Sequence, residues 1–108
     1  MSDHYQVTVA ASTSDEAERL GRIVVEARLA ACAQVSGPIT SAYWWDGNLT
    51  SAVEWICTLE TAAHRLEPLM ETLRTAHSYE VPEIIAIPIV AGDPAYLAWI
   101  DEETRLDG

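Results

Sequence analysis

The chain has 108 residues and carries 17 acidic against 6 basic side chains, a formal net charge of −11, and every basic residue is arginine. With no lysine and no arginine cluster it cannot neutralise a run of phosphates, which excludes nucleic acid and anionic lipid surfaces as partners. Hydrophobic residues make up 49%, no apolar run approaches the ~20 residues that span a bilayer, and MSDHYQ is not a basic, apolar leader, so the expectation is one cytoplasmic domain over residues 1–108, frayed at 1–4 and 104–108.

In chain order, YQVTVAA (5–11) alternates apolar and polar residues, the period of a strand with one buried face. Thr13 followed by Glu16 fits a capping box. Ala17, Leu20, Val24, Ala27 and Ala31 recur at spacings of three and four, which predicts a helix running to about Leu29 or Ala31. CAQVSGPITSAYWW is extended, with Gly37-Pro38 marking a bulge or bend. Asp46-Gly47 predicts a hairpin turn, and the return strand is expected over about 53–61. A second helix is expected over about 62–76, where Pro68 is awkward unless the regular part starts near Glu67. Residues 84–90 read as a strand that Pro88 restricts to an edge or a bulge. Asp93 and Pro94 predict the cap and first residue of a short third helix.

The order β-α-β-β-α-β-α predicts an α+β fold, a ferredoxin-like βαββαβ sandwich with an extra C-terminal helix. One face of its sheet is left without helices. The two long hairpin strands carry more apolar residues than one small core needs, so a subunit contact is expected there. Trp44 and Trp45 are adjacent in a strand and point to opposite faces, and one of them is expected in that contact.

HSYEVPEIIAIPI (77–89) sets His77, Tyr79, Glu80 and Glu83 against an apolar strand. Read alone, the cluster is open to three uses: catalysis, metal binding or a subunit contact. No nucleophile elbow and no glycine-rich phosphate loop accompanies it, so no catalytic residue is assigned and an enzyme is not expected. Cys32 and Cys57 match no zinc-ligand spacing. Any metal site must be assembled in three dimensions. The competing reading of His77 is a helix-terminal side chain bonded to the last carbonyls.

LAACAQV (29–35), SAYWWDG (41–47), the strand from Glu54 to Thr61, HSYEVPEIIAIPI and GDPAYLAWI (92–100) together resemble the CutA family, the divalent-cation tolerance proteins, over about residues 5–103. The resemblance implies a tight homotrimer with PII-like architecture, association with copper and other divalent metals, and no metal needed for folding. Its alternative implication is a PII-like signalling or scaffold trimer in which metal binding is incidental. Carried over by position, Cys32 and His77 are the candidate metal ligands. Tyr43, Trp45, Glu54, Glu60, Tyr79, Glu80 and Glu83 are the residues of an inter-subunit cleft, where His77 is expected to be open to a metal. Cys57 stands at a usually aliphatic position and is expected buried and inert. Three residues depart from the family pattern. Glu60 replaces a usual lysine, so a cation-preferring cleft is expected. Gln34 replaces asparagine. Ser78 replaces proline, at about 1 kcal/mol or less through unfolded-state entropy.

Overall fold

The structure, a computed structural model, describes residues 2–106. It runs β1 (His4–Ala11), α1 (Ser14–Glu26), β2 (Cys32–Trp45), β3 (Asn48–Ala62), a 3-10 turn (Ala63–Arg65), α2 (Leu66–Ala76), β4 (Ile84–Pro88) and α3 (Pro94–Glu103). The strands form one sheet in the order β2-β3-β1-β4, every neighbouring pair antiparallel.

α1 begins as its sequence requires: the Thr13 hydroxyl accepts the Glu16 N–H at 3.0 Å. It stops short of Leu29 because Arg28 takes a left-handed conformation, φ 62°. There the Leu29 N–H donates to Val24 O at 2.9 Å and the Arg28 N–H to Val25 O at 3.0 Å, a Schellman closure with arginine in the place glycine usually fills. Leu29 and Val24 are both in the core, the apolar contact that accompanies this closure. In α2, Pro68 is the third helical residue. Its missing N–H is one of those with no intrahelical acceptor, so the helix tolerates it. The bulge lies between Ser36 and Ile39 as the Gly37-Pro38 pair implies. Asp46 and Gly47 both have positive φ, 52° and 77°, the type I′ loop. This two-residue loop starts β3 at Asn48, five residues before the alternation becomes legible.

Tyr5, Val7, Val9 and Ala11 alternate onto one sheet face, level with Thr61, Leu59, Cys57 and Trp55 of β3. Leu20 and Val24 of α1 and Leu69 and Leu73 of α2 close over this face, all fully buried. Cys57 is fully buried there, and burial pushes its thiol up to about 11. On the opposite face α3 covers one end only: the Tyr96 hydroxyl donates to Glu60 at 3.1 Å and His4 meets Asp101 at 2.9 Å. Elsewhere that face keeps Ile85 and Ile87 about half exposed. The β2–β3 hairpin runs past the body, giving extents of 44 × 25 × 22 Å.

Ser2, Asp3, Glu103 and Thr104 are bonded into the body of the domain. The Ser2 hydroxyl donates to Ile89 O at 3.1 Å, and the Ala63 N–H to Asp3 O at 2.8 Å. Thr104 is fully buried with its hydroxyl on Ile100 O, and Arg28 pairs with Glu103 at 2.6 Å. Met1, Asp107 and Gly108 lie outside the described residues.

Helix and sheet approach closely at Gly21, where an added Cβ would sit 2.8 Å from Ala33 Cβ and 3.0 Å from Cys57 Sγ. Gly21→Val is expected to destabilise the protein by about 1–3 kcal/mol through overpacking, despite the better helix propensity of valine. Urea unfolding checks this; an unchanged midpoint contradicts it.

Candidate functional site

The segment after α2 is fastened before it reaches β4. His77 caps the helix with extended backbone, φ −74° and ψ 145°, and its side chain turns inward until it is fully buried. Its Nε2–H donates to Ala10 O at 2.6 Å, and Nδ1 accepts the Tyr79 N–H at 3.0 Å. A carbonyl only accepts and an amide N–H only donates, so these partners select the tautomer with hydrogen on Nε2. The expectation that His77 is open to a metal is thereby corrected: within this chain both ring nitrogens are engaged and no solvent reaches them.

Glu16 supplies the second fastening. Its carboxylate accepts the Ser78 N–H and hydroxyl, both at 2.9 Å, and lies 3.9 Å from His77 Nδ1. Burial alone would raise its carboxyl, but the two Ser78 bonds, with the Arg19 charge, hold it below the ordinary value. The predicted capping box is therefore half used: Thr13 caps α1, and Glu16 reaches across to the loop.

With its backbone held, Tyr79 stacks on His77 at 4.7 Å between ring centroids and donates its hydroxyl to Glu54 Oε2 at 2.8 Å. Glu54 is only 6% exposed. Among the described residues no cation pairs with it, and its Oε1 has no hydrogen-bond partner. Burial, followed by the bond to Glu54 and its charge, pushes the Tyr79 phenol up to about 12. Tyr79 and Glu54 line a cleft of about 570 Å³. Ser41, Tyr43 and Trp45 of β2 make one wall, while Glu80, Val81 and Glu83 make the other. No arginine lines it. Of the residues predicted for the cleft, the structure brings together all but Glu60.

Glu60 lies six residues along β3 from Glu54, roughly 20 Å at strand rise, and belongs to a separate cluster. It is 6% exposed and accepts from Gln6 Nε2 at 3.2 Å and from the Tyr96 hydroxyl. Cys32 stands opposite it on β2. Burial first, then the carboxylate beside it, raises the Cys32 thiol. Cys32 and His77 do not meet. Cys32 is level with Glu60, whereas Ala10, which holds His77, is level with Ile56, about 13 Å along the strand. Among the described residues no three His, Cys, Asp or Glu side chains converge to hold a metal. Ser41 and Val81 carried no sequence signal as cleft residues. Tyr96 did carry one, being a motif residue at the start of α3 with a polar tip.

Removing the imidazole leaves the Ala10 carbonyl and the Tyr79 N–H without partners in a buried place, so His77→Ala is expected to cost about 1–3 kcal/mol, measured by urea unfolding. The phenols give a pH signature. Tyr79 and Tyr96, both pushed up to about 12, keep their protons longer folded than unfolded, where a phenol ionises near 10. Their contribution is full below about pH 10 and is lost as pH rises toward about 12. Tyr79→Phe should flatten this alkaline loss; an unaltered slope contradicts the assignment.

A model of the CutA1 divalent ion tolerance protein family matches residues 5–103. The divalent-cation tolerance protein CutA of Archaeoglobus fulgidus is 35% identical over 99 residues, covering 92% of this chain and 96% of that relative. The chloroplastic protein CutA 1 of Oryza sativa subsp. japonica is 34% identical over 99 residues, covering 92% of this chain, which spans 56% of that longer relative. The crystal structure of CutA from Xylella fastidiosa superposes with a TM-score of 0.93 at 32% identity, covering 96% of this chain and all of the other. The chain belongs to the CutA1 divalent ion tolerance protein family.

Proposed function

We propose that the protein is a ferredoxin-like subunit of a homotrimer that takes up divalent cations, copper among them, at clefts completed by neighbouring subunits. The observation that carries this reading is Glu54: a largely buried carboxylate lining a cleft together with Glu80 and Glu83, one oxygen held by Tyr79 and the other reached by solvent, with no cation paired to it among the described residues. Buried charges are ordinarily paired or metal-bound. The ligand set is therefore these carboxylates rather than Cys32 and His77, and because one chain gathers too few donors, a second copy supplies the rest. The uncovered apolar residues support assembly: Trp44 is 72% exposed, Leu49 68% and Val53 55%, all on one hairpin face.

A second reading, a PII-like trimer with a small-molecule ligand, is favoured by one observation. The cleft is far larger than a metal ion needs, and three aromatic rings line it. Native mass spectrometry during Cu²⁺ and Zn²⁺ titration tests the first reading. A trimer that gains a fixed number of ions per chain is expected, with the gain lost in Glu80→Gln/Glu83→Gln and kept in Cys32→Ala. A stable monomer, or a broad unsaturating distribution of ions collected by the acidic surface, defeats it.

A further inference from the structure

The cleft between the hairpin and the 79–83 loop combines two features that a metal site does not need together, an aromatic wall and spaced carboxylates. A metal ion requires its donors around one point, at about 2.0–2.6 Å. Among the described residues no three carboxylate, thiol or imidazole groups converge in this way. Instead the charges are spread out. Glu54 is opposite Ile39, and Tyr43 and Trp45 follow four and six residues later on the same strand face, so the hairpin wall runs roughly 20 Å. Glu80 and Glu83 face it from the loop.

Spread anionic charge beside aromatic faces is the environment that recognises organic ammonium groups. The ring quadrupole attracts the cation, and the carboxylates accept its N–H bonds. Glu54 Oε1, which is reached by solvent, offers an acceptor on the cleft's lining. The volume of about 570 Å³ falls in the range of small-molecule sites. Among the described residues no arginine lines the cleft to pair with these carboxylates or to draw in an anion.

We propose that this cleft binds a linear aliphatic polyamine, its terminal ammonium on Glu54, its methylenes along Tyr43 and Trp45, and a second ammonium between Glu80 and Glu83. The inference rests on the reading of the cleft as a small-molecule site and names the ligand class for it. It also sets the role of Tyr79, whose hydroxyl holds Glu54 Oε2 so that Oε1 faces the cleft.

Spermidine titrated into the purified protein at physiological salt, followed by calorimetry, tests it, with Mg²⁺ at matched charge as the control for general attraction to a surface of net charge −11. Saturation at one spermidine per chain is expected. Glu83→Gln, at an exposed position, is expected to weaken binding about tenfold. Trp45→Ala should weaken it similarly, and Trp45→Phe should restore most of the loss. Equal affinity across these variants, or displacement of spermidine by matched Mg²⁺, overturns the proposal. The two readings fail separately. If Cu²⁺ uptake depends on Glu80 and Glu83 while spermidine never saturates, the polyamine inference falls and the metal reading stands. If spermidine saturates and Cu²⁺ uptake ignores those residues, the metal reading falls and the inference stands.

Discussion

The imidazole of His77, held between the Ala10 carbonyl and the Tyr79 amide, is the contact on which the cleft depends. It ties the end of α2 to the end of β1 and fixes the direction in which the loop leaves. Ala10 is bound twice by this loop, its carbonyl to His77 and its N–H to Glu83 O at 3.3 Å. Between these two ties the chain has only to carry Tyr79 over to Glu54. A neutral ring with one donor and one acceptor suits this place, because each nitrogen finds the partner it requires without bringing a charge into the interior. Lysine or arginine could not replace it, since neither offers an acceptor to the Tyr79 N–H.

The same economy applies to the buried carboxylates. Glu54 and Glu60 are each bonded to neutral donors rather than to arginine: a phenol for Glu54, a phenol and an amide for Glu60. The arginines lie elsewhere. Arg28, Arg74 and Arg105 pair with Glu103, Glu71 and Glu102 at partly or largely exposed sites, and Arg19 and Arg65 donate to helix-end carbonyls. Exposed pairs of this kind contribute little to stability. Among the described residues the cost of burying these two carboxylates is thus offset by hydrogen bonds to neutral donors.

Most of the fold was legible because local signals agreed with one another. Period two in β1, spacings of three and four in α1, Asp46-Gly47 at the hairpin and Asp93-Pro94 at α3 each specified one local outcome. The misses share a cause, which is that a tertiary contact decided the matter. Arg28 ends α1 although nothing in its type marks a left-handed residue. Its backbone carbonyl and guanidinium are used by Arg65 and Glu103, and neither partner is near in sequence. Burial of His77 was equally invisible, since a histidine after a helix reads as solvated until the β1 carbonyl beside it is known. The cleft residues Tyr43, Trp45, Glu54, Tyr79, Glu80 and Glu83 came from motif resemblance, which placed them together without giving the geometry.

Glu60 shows where alternation along a strand misleads. It shares the parity of Glu54, and parity says that two residues point to the same face; it does not say that they share a site. Six residues of extended chain separate them by roughly 20 Å. The exchange of the family's usual lysine for glutamate therefore does not recast the cleft. Its effect is confined to the far end of the sheet, where the carboxylate faces Cys32 and Tyr96. Both groups are acids that lose a proton to become anions, and a fixed negative charge beside them opposes that loss. The raised thiol of Cys32 and the raised phenol of Tyr96 are two consequences of burial and of that one carboxylate. A lysine at position 60 would favour the thiolate instead. The residue most suggestive of altered ligand preference thus acts on the chemistry of a thiol, while the charge of the cleft is set by Glu54, Glu80 and Glu83 and by the absence of arginine from its walls.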